Sequence, residues 1–286
     1  MSLGFWAAVA FVYGAVVGSF LNVCIWRMPR DESIIQPSSH CPNCNKKLTV
    51  RELVPLLSFL LQGRKCRSCG APISWRYFGV EILMGLFFAA LLAHCYKSNP
   101  LWLVDFFAYA LFGSALIAAF FIDLEHWIIP DQLTVFAIVV GVARDIIRVA
   151  WKQSDLVRIP LPFTRVSLPM LESVIGLLAC GAIFYAIAVL GEMAFKKEAM
   201  GGGDIKLAAA VGANLSIGLA LLSFFLAVAV GSVVGGAWMI IKRARHKDSA
   251  SYVPFGPMMV TGVVAAMFFG QQLIWAYTRY VQLCVR

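Results

Sequence analysis

The chain has 286 residues, of which 60% are hydrophobic and only 14% charged, and its mean hydropathy is +0.80. Water-soluble domains carry about 25% charged and about 45–50% apolar residues, so this composition excludes a soluble globule, a disordered chain and a small disulfide scaffold. The net charge of +9 sits on a chain too apolar for a nucleic-acid binder, which leaves an integral membrane protein of several spans.

A helix crosses a hydrocarbon core of about 30 Å in about 20 residues. Apolar runs of that order lie at 3–26, 79–96, 101–122, 132–150, 167–194, 216–241 and 257–278. A shorter one at 205–215 suits a half-helix or a tilted segment. With it, the expected fold is an all-α polytopic membrane protein of about eight transmembrane helices. The first run lacks a basic n-region and is followed by Arg27 and Arg30, so it reads as a retained span, not a signal peptide.

Charge bias predicts the orientation. Residues 27–78 hold nine Lys/Arg against three acids, net +6. Lys242, Arg243, Arg245 and Lys247 mark a second basic loop, and Lys196, Lys197 and Lys206 flank a third. The positive-inside rule puts all three in the cytoplasm, with both termini on the other side; the loop at 151–166, with Lys152, Arg158 and Arg165, runs against the trend. The chain thus divides into a first helix (1–26), a cytoplasmic loop long enough to be a small domain (27–78) and a membrane core (79–286). The loop's charge also suits it to anionic lipid headgroups.

Within that loop, Cys41-Pro-Asn-Cys44 and Cys66-Arg-Ser-Cys69 are two CxxC pairs, 21 residues apart. Pro42, Asn43 and Gly70 bring turn chemistry to both. Four thiolates on two tight turns match a tetrahedral zinc-ribbon site, whereas disulfides are disfavoured in a reducing compartment. Four protein ligands leave no open position, so the expected zinc is structural.

The chain has 15 Asp/Glu, and acids at membrane depth are costly and often functional. Asp123 follows the third long run, and Asp204 ends Met200-Gly-Gly-Gly-Asp204. Both are expected at cytoplasmic ends of their segments. Two such carboxylates on different helices can share a proton and activate a water between them, as in aspartic proteases, or each can simply cap its helix. Gly201, Gly202 and Gly203 would let a peptide backbone approach.

In order and spacing these motifs resemble the type 4 prepilin leader peptidases, bacterial membrane enzymes of two activities. The resemblance is carried by Gly18-Ser-Phe-Leu-Asn-Val23, Arg27-Met-Pro29, the two CxxC pairs, Glu52-Leu-Val-Pro-Leu-Leu-Ser58 and Pro72-Ile-Ser-Trp-Arg-Tyr77. It continues through Ile122-Asp123, Pro130-Asp131, the GxGD motif at 201–204 and Pro254-Phe-Gly-Pro257. It implies cleavage of prepilins or pseudopilins after a glycine at the cytoplasmic face of the bacterial inner membrane. N-methylation of the new terminus by S-adenosylmethionine would follow. Asp123 and Asp204 take the catalytic roles, in a peptidase core at 79–286, while Asp131 matches an acid not counted as catalytic. The methyl-transfer site is expected at the 27–78 loop, with Asn22, Arg27, Glu52, Gly63 and Glu81 as candidates. Gly202 and Phe78 depart from the family pattern, and Gly63 sits one residue early.

Two rivals remain at this point. A peptidase without methyl transfer needs no zinc loop. A non-enzymatic transporter also uses intramembrane acids and broken helices, but predicts acids at mid-membrane and paired repeats.

Overall fold

In a computed structural model, residues 2–160, 167–197, 200–244 and 254–284 are described. Their helices are α1 (Leu3–Arg27), α2 (Leu57–Leu61), α3 (Trp75–Cys95), α4 (Trp102–His126), α5 (Asp131–Ala150), α6 (Glu172–Phe195), α7 (Gly202–Asn214), α8 (Ile217–Ala244) and α9 (Phe255–Cys284). One antiparallel hairpin joins β1 (Val157–Pro160) to β2 (Ser167–Met170).

All eight apolar runs become helices, but six of these, α1, α3, α4, α6, α8 and α9, are long and apolar enough to cross a membrane. The other two are α5, which carries Asp131, Arg144, Asp145 and Arg148, and α7, which has 13 residues. The fifth long run also starts later than expected. Residues 167–170 form β2, and α6 begins only after Pro169, whose ring and missing N–H disfavour a helix interior. Lys242 and Arg243 extend α8 instead of lying in a loop. Arg165, Arg245 and Lys247 are outside the described residues.

The structure separates into two compact units, Met1–Ala110 and Leu111–Arg286. In the first, α1 packs along α3 through small residues. A Cβ on Gly18 would lie 2.8 Å from the Cα of Glu81, and one on Gly85 would lie 2.7 Å from the Phe11 ring. Ile25, Val80, Met84 and Leu91 fill the seam and are all but fully buried. From the loop, Phe59 of α2 stacks on Phe78 and leans on Trp75, with centroids at 5.0 and 5.3 Å, which ties the loop to the first turn of α3.

In the second unit α7 is held between α5 and α6. The backbones of Gly176 on α6 and Gly212 on α7 touch, so neither position has room for a side chain. The buried Asn214 donates its amide to the carbonyls of Ala137, at 2.8 Å, and Ala210, at 2.9 Å. Arg144 in turn donates to the Asn214 carbonyl at 3.0 Å. A helix of three to four turns has little stability by itself, and here tertiary packing holds it. That packing sets where the first turn of α7, and Asp204 with it, can be.

Candidate functional site

Asp123 and Asp204 are brought together by four chain segments of the second unit. Asp123 lies in the last turn of α4, buried. The helix runs one turn past the end of its apolar run and stops where Trp127 takes a left-handed φ of 62° and donates its N–H to the Asp123 carbonyl at 2.9 Å. Residues 128–130 then lead to α5. Asp204 occupies the first turn of α7, where its N–H reaches the Gly201 carbonyl at 3.1 Å, and is half-buried. Ile129 lies against both: a Cβ on Gly203, beside Asp204, would be 3.1 Å from it, and one on Gly256, against the Asp123 carboxyl, 3.3 Å.

The glycines around them have different duties. A Cβ on Gly203 would meet Ile129 at 3.1 Å, and one on Gly201 would lie 3.6 Å from Asp204 Oδ2. Gly202 has open space around it. The tightest position is one that sequence reasoning did not single out. A Cβ on Gly256, in the first turn of α9, would fall 2.5 Å from Asp123 Oδ2 and 3.1 Å from its Cγ. The Gly256 N–H faces the Asp123 carboxyl. Each carboxylate sits at a helix N-terminus, Asp204 at its own and Asp123 at that of α9, yet burial and the neighbouring Asp123 together push the Asp204 carboxyl up to about 6, and Asp123 Oδ2 is buried without a hydrogen-bond partner. Asp131 has a separate duty. It receives Lys206 at 2.7 and 2.8 Å, an exposed ion pair that joins the start of α5 to the helix bearing Asp204.

In the first unit the four cysteines meet. Their sulfurs all lie within 4.8 Å of one another, and Cys41 and Cys69 are 3.9 Å apart. A tetrahedron with metal–sulfur bonds of about 2.3 Å has edges of about 3.8 Å, whereas a disulfide would be about 2.0 Å. The two turns repeat one geometry. Asn45 N–H donates to the Cys41 carbonyl at 2.8 Å and Gly70 N–H to the Cys66 carbonyl at 2.9 Å, with Asn45 and Gly70 both at positive φ. Ser68 N–H points at Cys66 Sγ at 3.4 Å and Asn43 Nδ2 at Cys69 Sγ at 3.6 Å. The Ala71 N–H and the Asn43 amide hold the Cys69 thiol down to about 6, and the Cys69 and Ser68 N–H groups lower Cys66 as well, whereas Cys44, despite the Lys46 N–H that lowers it, is pushed up to about 11 by burial and by the other three thiols, so without a cation the four share their protons. Such a set is prepared for one cation with four sulfur ligands.

The remaining predicted residues divide. Asn22 and Glu81 flank the close α1–α3 contact at Gly18, both buried. Asn22 donates to the carbonyls of Gly18, at 3.2 Å, and Tyr77, at 3.1 Å, and its Oδ1 is buried without a partner. Glu81 accepts from the Leu56 N–H at 2.8 Å, and Leu56 has a positive φ of 62°. Arg27 is buried and donates to the carbonyls of Ser33, at 2.9 Å, and Pro37, at 2.7 Å. Glu52 closes a capping box, accepting from Thr49 N at 2.8 Å and Thr49 Oγ1 at 2.7 Å. Gly63 follows α2 with φ of 57°, and nothing crowds it. Arg27, Glu52 and Gly63 thus shape the loop, Glu81 uses its Oε2 to hold Leu56, and Asn22 retains a free acceptor.

The sequence is similar to those of known proteins. Residues 12–95 match the model of the bacterial peptidase A24 N-terminal domain, and residues 110–236 that of the type IV leader peptidase family. The chain is 31% identical to a prepilin leader peptidase/N-methyltransferase of Bacillus subtilis, over 95% of this chain and 98% of that one. It is 32% identical to a type 4 prepilin-like proteins leader peptide-processing enzyme of Escherichia coli, over 91% and 93%. A prepilin leader peptidase/N-methyltransferase of Myxococcus xanthus is 36% identical over 84% of this chain, which spans just under two thirds, 64%, of that relative. No solved structure matches the chain.

Proposed function

The chain belongs to the type IV leader peptidase family, and on that premise we propose that it cleaves the leader of prepilins or pseudopilins and then N-methylates the new terminus. The observation that carries the cleavage reading is the pair Asp123 and Asp204, gathered around Ile129 with each at a helix N-terminus. Neighbouring carboxylates cannot both ionise cheaply. The ionised one takes a proton from a water, and the protonated one polarises the scissile carbonyl and then protonates the leaving amine. No covalent enzyme intermediate is required. The net +6 of the loop 27–78 supports a cytoplasmic position for it by the positive-inside rule, and in this reading cleavage takes place at the cytoplasmic face of the bacterial inner membrane.

The four cysteines hold a structural zinc in this reading, which fixes the loop between α1 and α3. S-adenosylmethionine, when bound, supplies an electrophilic methyl group on a sulfonium. The cofactor is a cation at sulfur and at its ammonium, and the unpartnered Asn22 Oδ1, with Glu81 buried nearby, would offer it acceptors. Asn22 and Glu81 would hold it, and Arg27 and Glu52 keep the surrounding loop in shape. The same polar cluster and cysteine site favour a bifunctional enzyme over a peptidase alone.

Purified protein incubated with a prepilin, with and without methyl donor, and the product weighed, tests this. A shortened product that gains one methyl only with the donor supports both activities. An uncut precursor refutes the reading.

Two mutations probe its parts. Gly256→Ala is expected to slow cleavage by about 100-fold, since even a 1 Å displacement of a reacting group can cost that much. The protein should still purify as a folded monodisperse species, and cleavage rates against the parent provide the check. Gly63→Ala places a Cβ at a positive φ, which costs about 1–2 kcal/mol and shifts the loop. It should yield cut but undermethylated product, read by mass. The reverse separation is not expected, because the amine does not exist until the peptide bond is cut.

A further inference from the structure

The short helix α2 is built on one buried residue. Phe59 is packed against Trp75 and Phe78, while Leu57, Leu60 and Leu61 are 58%, 60% and 79% exposed. Val50, Leu53 and Val54, just before it, are exposed too. A cluster of this kind is too apolar for free contact with water. Its location explains what covers it. Trp75 opens α3, one of the membrane-crossing helices, and is itself exposed. Tryptophan at the end of a span marks the headgroup level. A helix packed on Trp75 and Phe78 therefore lies at that level, continuous with the lipid-facing surface of α3. The flanking charges agree: Arg51, Arg64, Lys65 and Arg67 are all exposed, and the Arg64 guanidinium lies over the Trp75 ring at 4.8 Å.

We propose that α2 is an interfacial anchor: its leucines insert at the boundary between headgroups and acyl chains, and the adjacent cations bind anionic headgroups. The cysteine site and the Leu56–Glu81 contact lie on the same loop, so the anchor sets its depth at the bilayer. Apolar insertion together with basic flanks is the usual composition of such anchors.

The test uses the full chain in nanodiscs with a photoreactive benzoylphenylalanine at Leu61, and at Val12 of α1 as a lipid-facing control. After irradiation, intact mass should show a phospholipid adduct at both positions. Trypsin cleavage after Arg64 and Lys65 should be roughly tenfold slower in nanodiscs containing phosphatidylglycerol than in phosphatidylcholine alone, at low salt. The double variant Leu57→Glu, Leu61→Glu should lose that protection while keeping its cysteine-bound metal. Adducts at Val12 but only peptide or second-copy crosslinks at Leu61 would overturn the proposal, as would equal trypsin rates in the two nanodiscs.

Discussion

Asp123→Asn and Asp204→Asn are each expected to reduce leader cleavage by roughly 10³- to 10⁴-fold, because each removes one of two proton-transfer groups. The amide fills the same space as the carboxyl, so neither change should disturb packing against Gly256 or the first turn of α7. Helix content and detergent behaviour should match the parent, which separates lost chemistry from lost fold. The loss should be nearly as large in either variant, and combining them should add little, since the two groups act as one unit. Product mass after incubation with a prepilin provides the measurement. Normal processing by either variant would refute the dyad. A serine-directed inhibitor should leave the parent's rate unchanged.

Local chemistry was the legible part of the site. The two CxxC turns carry their geometry within a few residues, and the four sulfurs meet as their spacing predicts. The aspartates were legible because each is an acid next to an apolar run. Their proximity was not, since it depends on α7 being locked by Gly212 against Gly176 and by Asn214. Gly256 escaped for the same reason. Its signal, a glycine before Pro257 at the start of an apolar run, says helix start, and only the fold shows that Asp123 fills the space a side chain would need. Glu52 is the opposite case. Thr49 and Glu52 spell a capping box in sequence, so the structural duty of this carboxylate was readable before any functional one. Hydropathy alone also leaves an end and a class open: α4 continues four residues past its apolar run, to His126, and α5 carries more charge than the six helices that are long and apolar enough to cross a membrane.

Removing the metal should separate the two proposed activities. Fresh protein is expected to contain about one zinc per chain, and the changes Cys66→Ser or Cys69→Ser should release it. Between α1 and α3 the loop has little core of its own: Phe59 on Trp75 and Phe78, the Glu81–Leu56 bond, and the cysteine cluster. In zinc-finger peptides such a site is worth about 10–16 kcal/mol at neutral pH, far more than those contacts can replace. Loop order should therefore fail first, and with it the surroundings of Asn22 and Glu81. Methylation is expected to fall by about tenfold or more, in line with the loss seen when a site's positioning shell is removed. Cleavage, whose proposed carboxylates and surrounding glycines all belong to the second unit, should fall less. Metal content by elemental analysis, thiol titration before and after chelation, and the masses of cut and methylated product measure each step. Zinc-free fresh protein with all four thiols in disulfides would remove the metal from this account, and equal loss of both activities would mean that the loop serves the peptidase site as well.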